Sequence, residues 1–447
     1  MTEKKNYSLT YPKIVAVGFA LIIIIGAVLL TLPISSKHGS AAFMDALFTS
    51  ASATCITGLV PFDTFSNWSV FGQIVILCLI QIGGLGFITV LSLFVNVFRK
   101  RMSLKYKMLL KESVGSLRLA DVKTLVKTVI VFTASCELAG AVILAVRFVP
   151  LTDVRRGIYM AVFTSVSAFC NAGFDLMGMF SPSSSLVTVN HDPIIILTVS
   201  VLIIFGGIGF IVWQDLKNKK FRLKSLSVHS KLVLVTTGIL LLSGTLLFFL
   251  LEYNYTFKEM GFGQKLLNAF FCGVTPRTAG FNSVEIGEMN PLSRMLTTIL
   301  MFIGGSSGST AGGVKTTTVA VLVLCVASNL RNREEITVFN NRISLDTVKK
   351  AVAVSVTNLF EIFIAVILIS FVQSNLALSD VLFECTSAMG TVGITTGITP
   401  VLNSASQLVI IILMYIGRLT SLIFALSFVV TKPKTTAKKP KGEFMVG

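Results

Sequence analysis

The chain has 447 residues, of which 53% are hydrophobic and only 13% are charged, and its mean hydropathy is +0.82. So little polar sequence cannot cover the surface of a water-soluble globule, and the composition therefore predicts an integral membrane protein. The net charge of +17 does not indicate nucleic-acid binding, because no soluble domain is present to display that charge on one surface. We expect membrane lipid, and no nucleic acid, around the chain.

Lysine and arginine concentrate in five segments between the apolar stretches. These segments are the N-terminus with Lys4, Lys5 and Lys13, then 99–127, 217–231, 331–350 and 432–441. Short basic segments beside membrane helices remain in the cytoplasm. All five are therefore predicted to be cytoplasmic, together with both ends of the chain.

A short motif whose last residue but one is glycine recurs roughly every 110 residues, which indicates an internal repeat. The four copies read SASATCITGL, SVSAFCNAGF, GVTPRTAGF and TSAMGTVGI, and their glycines are Gly58, Gly173, Gly280 and Gly393. A long apolar segment precedes each copy, near 14–34, 124–149, 230–252 and 349–373, and another follows it, near 69–98, 193–217, 293–330 and 405–430. Between them lie short amphiphilic stretches near 43–55, 157–170, 264–275 and 378–389. These are too short to span a bilayer and are predicted to be re-entrant pore helices.

The predicted fold class is an all-α polytopic membrane protein. Four parallel helix, pore-loop, helix repeats surround a central pore and supply eight spans and four re-entrant helices. The predicted divisions are a cytoplasmic N-terminus (1–13), repeat 1 (14–98), a linker with repeat 2 (99–217), a linker with repeat 3 (218–330), a linker with repeat 4 (331–430) and a cytoplasmic basic tail (431–447).

Two interpretations of the recurring glycine are open. Glycine allows membrane helices to pack closely. It also permits the unusual backbone angles of a filter strand, whose unpaired carbonyl groups are tolerated at membrane depth where they replace the water shell of an ion. The same residue at the same place in all four copies, each time after a short segment, favours the filter.

The segment TPRTAGFNS (275–283), supported by SATCITGL (52–59), resembles the Trk/Ktr/HKT superfamily of K+ transporters, and within it the KtrB-type membrane subunits of bacterial Ktr systems. The resemblance covers nearly the whole chain. It implies that K+ is bound by backbone carbonyl groups of one triplet from each repeat. The triplets are Ile56, Thr57, Gly58; Asn171, Ala172, Gly173; Thr278, Ala279, Gly280; and Thr391, Val392, Gly393. In the family that the chain resembles, some plant relatives with serine at the first glycine position favour Na+, so Gly58 points to K+.

The second helices share a further pattern, GGLGF (83–87), GGIGF (206–210), GGSSG (304–308) and IGRLT (416–420). When Gly417 is aligned with the first glycine of each of the other three segments, Arg418 corresponds to Gly84, Gly207 and Gly305. A charged side chain inside a membrane indicates function. Arg418 either faces the pore, where it restrains cation flow, or forms a buried ion pair with Glu137 or Glu361.

The third repeat carries the run GGSSGSTAGGVKTTT (304–318), which is too rich in glycine, serine and threonine to remain a helix within a span. The resemblance implies an intramembrane gate; a plain helix break is the alternative. The predicted gate residues are Gly304, Gly305, Ser306, Ser307, Gly308, Ser309, Thr310, Ala311, Gly312, Gly313, Val314 and Lys315, with Arg418. Val314 between Gly313 and Lys315 departs from a phosphate-binding loop, so we expect no nucleotide on this chain.

The sequence contains no catalytic cluster, so we expect a transporter and not an enzyme. The resemblance implies K+ uptake, Na+ as an activator, a bacterial plasma membrane location, a homodimer and a cytosolic ring of KtrA-type nucleotide-binding subunits. An alternating-access carrier coupled to Na+ or H+ is the alternative, but it would predict inverted repeats. About half of the acidic residues fall on the outer side, where they either concentrate cations or cap helices, as Asp45 and Asp380 are placed to do.

Overall fold

The computed structural model describes residues 11–86, 122–333 and 335–419, which are mostly helical. Four long helices open the four repeats: α1 (Tyr11–Thr31), α5 (Val122–Leu151), α9 (Val228–Glu252) and α13 (Leu345–Val372). A short helix follows each of them: α2 (Phe43–Cys55), α6 (Val154–Cys170), α10 (Phe262–Val274) and α14 (Leu378–Gly390). The repeats close with α4 (Val70–Leu85), the pair α7 (Pro193–Ile208) and α8 (Phe210–Asn218), the pair α11 (Pro291–Phe302) and α12 (Thr316–Leu330), and α15 (Ser404–Leu419). A single-turn helix α3 (Thr64–Asn67) and a hairpin, β1 (Thr337–Val338) with β2 (Asn341–Arg342), complete the described chain.

Four of these helices are long and apolar enough to cross a membrane, and the bent pair α7 and α8 provides a fifth span if it is counted as one. Their outer faces carry exposed apolar side chains, such as Leu242 (75% exposed) and Phe371 (87% exposed). Exposed apolar surface of this extent requires a non-aqueous surrounding. The prediction of a helical, multi-pass membrane protein is confirmed. The predicted N-terminal segment, the ends of the second helices of repeats 1 and 4, part of the first linker and the basic tail lie outside the described residues.

The first helix of a repeat packs directly against the short helix that follows it. A Cβ atom added to Gly140 on α5 would lie 2.6 Å from Ser165 Oγ on α6, and one added to Gly26 on α1 would overlap Ser50 Oγ on α2. Glycine at such a crossing lets the two helix backbones approach closely, as it does at many membrane helix contacts. These contacts fix the short helices at the centre of the protein, where their C-terminal ends meet.

The second helix of repeat 2 is broken, and the prediction of one continuous segment over 193–217 was wrong. α7 and α8 meet at Gly209 with a bend of 88°. Gly209 has φ 103°, and a Cβ there would lie 2.8 Å from the carbonyl oxygen of Ser307 in repeat 3. The backbone of the third repeat therefore occupies the space that a straight helix would need, and glycine makes the turn possible.

The second helix of repeat 3 is interrupted, as predicted. The interruption covers Ile303 to Lys315, and the predicted stretch 304–318 extends too far, because Thr316, Thr317 and Thr318 already belong to α12. Two contacts hold the interrupted segment together. Ile303 and Val314 form a backbone bridge, and the Ser306 hydroxyl group lies 2.9 Å from that of Thr316 at the start of α12. We call residues 303–315 the broken-helix loop.

Candidate ion filter and gate

Two residues before each recurring glycine, the backbone adopts the left-handed conformation. These residues are Ile56 (φ 56°), Asn171 (58°), Thr278 (70°) and Thr391 (49°). In repeats 1, 2 and 4 this residue directly follows the short helix, whereas in repeat 3 the helix ends at Val274 and a turn precedes Thr278. Asparagine tolerates this conformation well, whereas β-branched Ile56 adopts it only under strain. Four independent sequences have therefore arrived at one backbone geometry, which turns the chain out of the helix and into an extended strand.

The residue after each turn directs its amide back to the short helix. The amides of Thr57, Ala172 and Val392 donate to the carbonyl oxygens of Ser52, Ser167 and Ser387, each at 2.8 Å, and the Ala279 amide donates to the Thr275 carbonyl oxygen at 3.0 Å. Within the described chain, no backbone amide donates to the carbonyl oxygens of Thr57, Ala172, Ala279 or Val392. Buried carbonyl groups without a partner are rare, so these four oxygens are available as ligands.

The four strands close into a ring in chain order. A Cβ atom on Gly58 would lie 2.7 Å from the Ala172 carbonyl oxygen, and one on Gly173 would lie 2.9 Å from that of Ala279. A Cβ on Gly280 would lie 2.6 Å from the Val392 carbonyl oxygen. The ring is completed by Gly393, where a Cβ would overlap the Thr57 carbonyl oxygen. Each glycine thus faces a free carbonyl oxygen of the next repeat.

Positive φ angles give a second reason for glycine at the ring. Gly58, Gly173, Gly280 and Gly393 have φ of 95°, 70°, 82° and 93°. Larger residues adopt such angles only with strain, and here their side chains would also enter the centre of the ring. The twelve residues of the four predicted triplets lie together, and all of them are buried.

A cavity of about 360 Å³ opens above the ring and is lined by all four glycines. Four carboxylate side chains reach its wall, those of Asp63, Asp175, Glu285 and Glu288. Their charges lie at the mouth of the ring, where they raise the local concentration of cations. The alternative role as helix caps also occurs, since Asp63 Oδ1 accepts from the Ser66 amide at 2.7 Å.

Asp45 and Asp380 do not cap the short helices, and that prediction was wrong. The residues at the N-cap positions are Ala42 and Ala377, and neither cap has a side-chain hydrogen bond. Asp45 instead accepts from Gln407 Nε2 at 3.3 Å, and Asp380 lies 3.7 Å from the guanidinium group of Arg294. Both carboxylates sit in the first helical turn, where the helix dipole favours negative charge.

The broken-helix loop lies directly below the ring. Its amides bind the broken second helix of repeat 2: Ser306 donates to Gly207 at 3.0 Å and Thr310 donates to Gly206 at 3.3 Å. On the side of repeat 4, a Cβ on Gly312 would overlap the side chain of Thr391, the residue at the left-handed turn. The loop therefore contacts the second helix of repeat 2 and the start of the filter strand of repeat 4.

Arg418 joins this loop to the first repeat. Its guanidinium group donates to the carbonyl oxygen of Thr310 in the loop and to that of Gly83 on α4. Glu137, one proposed ion-pair partner, accepts instead from Gln81 Nε2 at 3.2 Å. Lys315 Nζ folds back on the loop and donates to the carbonyl oxygens of Ala311 (2.8 Å) and Gly312 (3.1 Å). Two cations thus hold loop carbonyl groups beneath the ring.

Sequence reasoning missed three features of this region. The carbonyl oxygen of Gly83 receives Arg418, the bend at Gly209 accommodates the loop, and the buried carboxylate of Glu384 lies behind the fourth strand. The run GGIGF was a signal for the bend, since three glycines in five residues weaken a helix. Nothing local in the sequence identifies a carbonyl acceptor.

Comparison with known proteins gives a consistent result. Residues 13–439 match the family model TrkH, described as cation transport protein. The chain is 42% identical over 441 residues to the Ktr system potassium uptake protein B of Bacillus subtilis, covering 98% of this chain and 97% of that protein. It is 38% identical to the potassium/sodium uptake protein NtpJ of Enterococcus hirae, with 100% and 99% covered. The crystal structure of the potassium transporter TrkH from Vibrio parahaemolyticus has the same fold, with a TM-score of 0.74 at 18% identity and coverage of 96% of this chain and 86% of that one.

Protonation of Asp175 is expected to weaken cation capture at the mouth. Burial raises the pKa of Asp175 to about 6. The hydrogen bond that its Oδ1 accepts from the Met177 amide at 2.9 Å lowers the pKa, but by less than burial raises it. Because the raised pKa favours the neutral form, the negative charge is present above pH 6 and is lost as the external pH falls through that value. The apparent KM for Rb+ should rise about threefold between pH 7.5 and pH 5 in 86Rb+ uptake.

Asp175→Asn keeps an acceptor for the Met177 amide and should show a raised KM already at neutral pH, with a smaller response to acid. Asp153→Asn is the matched control, since Asp153 is an N-cap outside the cavity lining. An identical response to acid in Asp175→Asn and the unmodified protein would contradict this role.

Proposed function

The chain belongs to the TrkH family of cation transport proteins, and we propose that it carries K+ into the cell through the ring of Gly58, Gly173, Gly280 and Gly393. The observation that carries the proposal is the cyclic contact of each glycine with a free carbonyl oxygen of the next repeat. Carbonyl oxygens around one axis replace the hydration shell of K+. The names of the relatives, a potassium uptake protein and a potassium/sodium uptake protein, support K+ as the ion.

Below the filter, the proposed gate is the loop from Gly304 to Lys315 together with Arg418. The loop covers the inner end of the ring, and the hydrogen bonds of Arg418 to Thr310 and Gly83 hold it there. A fixed positive charge on the ion path also repels cations. Ions then pass when the loop moves aside and the guanidinium group releases Thr310.

Partners and location are also part of the proposal. One relative is named as a component of a Ktr system, which supports a membrane subunit that works with other subunits. We place the chain in a bacterial plasma membrane as a homodimer, with both termini cytoplasmic and a KtrA-type nucleotide-binding ring below it. The basic linkers at 217–231 and 331–350 bind either that ring or anionic lipid at the membrane surface. Activation by Na+ is supported only by the word sodium in the name of the second relative.

Replacement of Gly58 by serine should lower the preference for K+ over Na+. The added Cβ would lie 2.7 Å from the Ala172 carbonyl oxygen and 3.1 Å from Gly173 Cα, so the ring must widen or distort. We expect inhibition of 86Rb+ uptake by Na+ to strengthen about tenfold, equivalent to about 1.4 kcal/mol of lost discrimination.

Gly39→Ser is the matched control. Gly39 has φ 96°, close to the 95° of Gly58, but nothing lies within 4 Å of a Cβ added there. It therefore reproduces the backbone strain without the contact. Equal ion preference in Gly58→Ser and Gly39→Ser would count against the filter.

Arg418→Gln should make uptake faster. The shorter, neutral side chain cannot hold both the Thr310 and the Gly83 carbonyl oxygens, and it no longer repels cations. The initial rate of 86Rb+ uptake into vesicles should rise about threefold or more. Arg294→Gln provides the control, since Arg294 lies in the first turn of α11 and faces Asp380 at 3.7 Å. An unchanged or lower rate with intact ion preference would contradict the restraining role of Arg418.

A further inference from the structure

Glu384 is a buried acid in the middle of α14, the short helix of repeat 4, and only 1% of its surface is exposed. A carboxylate within a membrane protein is costly to bury unless polar groups satisfy it. Neither the ring nor the loop below it uses this side chain. Its surroundings therefore indicate what it does.

Two threonine hydroxyl groups satisfy the carboxylate. Thr395 Oγ1 donates to Glu384 Oε2 at 2.8 Å, and Thr399 Oγ1 donates to Glu384 Oε1. Thr395 Oγ1 in turn accepts from the Gly397 amide at 3.0 Å. Each hydroxyl group has one proton, and an ionised carboxylate offers an acceptor to both of them.

The two threonines belong to the chain that leaves the filter. Thr395 follows Gly393 closely and lines the same outer cavity as the four glycines. Glu384 therefore connects the helix that enters the fourth filter strand with the segment that leaves it. At the inner end, the Gly393 amide donates to Ser387 Oγ of the same helix at 3.1 Å. The fourth strand is therefore held to its helix at two points after Val392, the Gly393 amide and the Thr395 hydroxyl group.

The other repeats lack this connection. Counted back from the recurring glycine, Glu384 corresponds to Thr49, Thr164 and Phe271. Thr49 Oγ1 bonds to the carbonyl oxygen of Asp45 within its own helix at 2.8 Å, and Thr164 Oγ1 is buried without a hydrogen-bond partner. In repeat 3, Thr275 Oγ1 donates to the Phe281 carbonyl oxygen at 2.5 Å and makes a related connection without charge. Among the described repeats, a carboxylate braces only the fourth.

The fourth strand is also packed tightly against the first. A Cβ on Gly393 would overlap the Thr57 carbonyl oxygen and would lie 2.8 Å from Gly58 Cα. A small outward or inward displacement of Gly393 therefore changes the opening between the first and fourth strands. Carbonyl oxygens that bind an ion select it partly by the size of the site they form, so a displaced strand changes which ion fits.

We infer that Glu384 is a positioning residue for ion selection, which holds the outer end of the fourth filter strand through Thr395 and Thr399. The inference rests on the proposed function and adds a selectivity-determining residue that does not touch the ion. The carboxylate group acts by accepting hydrogen bonds from two hydroxyl groups, and not by attracting cations from the mouth, because Glu384 is not among the residues that line the outer cavity.

Two substitutions separate geometry from charge. Glu384→Gln keeps the network: its amide group donates to Thr399 Oγ1, which lies 3.1 Å from Thr395 Oγ1, and its oxygen accepts from Thr395. Glu384→Leu has a similar volume but accepts nothing. The double variant Thr395→Val, Thr399→Val removes both donors and leaves the acid in place. Thr386→Val is the control, since Thr386 Oγ1 bonds only to the Leu382 carbonyl oxygen of its own helix at 2.7 Å.

The experiment measures 86Rb+ uptake by purified protein in vesicles, with its inhibition by Na+ and the KM for Rb+. We expect Glu384→Gln and Thr386→Val to retain the preference for Rb+. Glu384→Leu and the double threonine variant should each lose about fivefold or more of it, and their combination should lose no more than either alone, because both remove one network. If Glu384→Leu does not fold, the ion preference of the double variant Thr395→Val, Thr399→Val tests the inference.

Unchanged preference in Glu384→Leu or in the threonine variant would overturn the inference. So would a raised KM with unchanged preference in Glu384→Gln, which would assign the carboxylate to cation attraction. Lack of Rb+ uptake by the unmodified protein would instead refute the proposed function itself, so the two failures are distinguishable in one assay.

Discussion

The structure depends on a backbone carbonyl group that accepts no hydrogen bond from the described residues. After each short helix the chain turns through a left-handed residue. The amide of the next residue donates back to the short helix or its cap, whereas the carbonyl oxygen of that same residue stays free. An unsatisfied polar group in the membrane interior costs several kcal/mol, so a chain that repeats this arrangement four times needs a ligand at the centre. We propose that a desolvated monovalent cation is this ligand, and glycine is required because the strands that carry the oxygens almost touch.

The remaining architecture serves this ring. The long first helices fix the short helices through close glycine contacts, the outer loops bring carboxylates to the mouth, and the broken-helix loop lies beneath. The four repeats are alike at the ring and differ around it: repeat 2 bends at Gly209, repeat 3 is interrupted, and repeat 4 carries Arg418 and Glu384. In the proposed function, the common features bind the ion, and the differences restrain ion flow and position the fourth strand.

Much of the fold was predictable from the sequence because the repeat imposes one pattern on hydropathy, charge and glycine at once. The short helix over 43–55 was located to the residue, and the interruption in repeat 3 followed from its composition. The glycines of GGIGF weaken the helix of repeat 2, but they do not reveal the bend at Gly209 by themselves, since the Ser307 carbonyl group of another repeat occupies the adjacent space. The carbonyl acceptors of Arg418 were missed for the same reason: an ion pair is suggested by side chains, whereas backbone oxygens carry no sequence signal.

The most direct measurement is the position of Rb+ in crystals of the protein, located by its anomalous scattering. The account predicts a peak on the axis of the ring, between the carbonyl oxygens of Thr57, Ala172, Ala279 and Val392. Replacement of Rb+ by Na+ in the crystals should leave that position unfilled by an ordered ion. A Rb+ peak confined to the carboxylates of the outer cavity, with none inside the ring, would contradict the account.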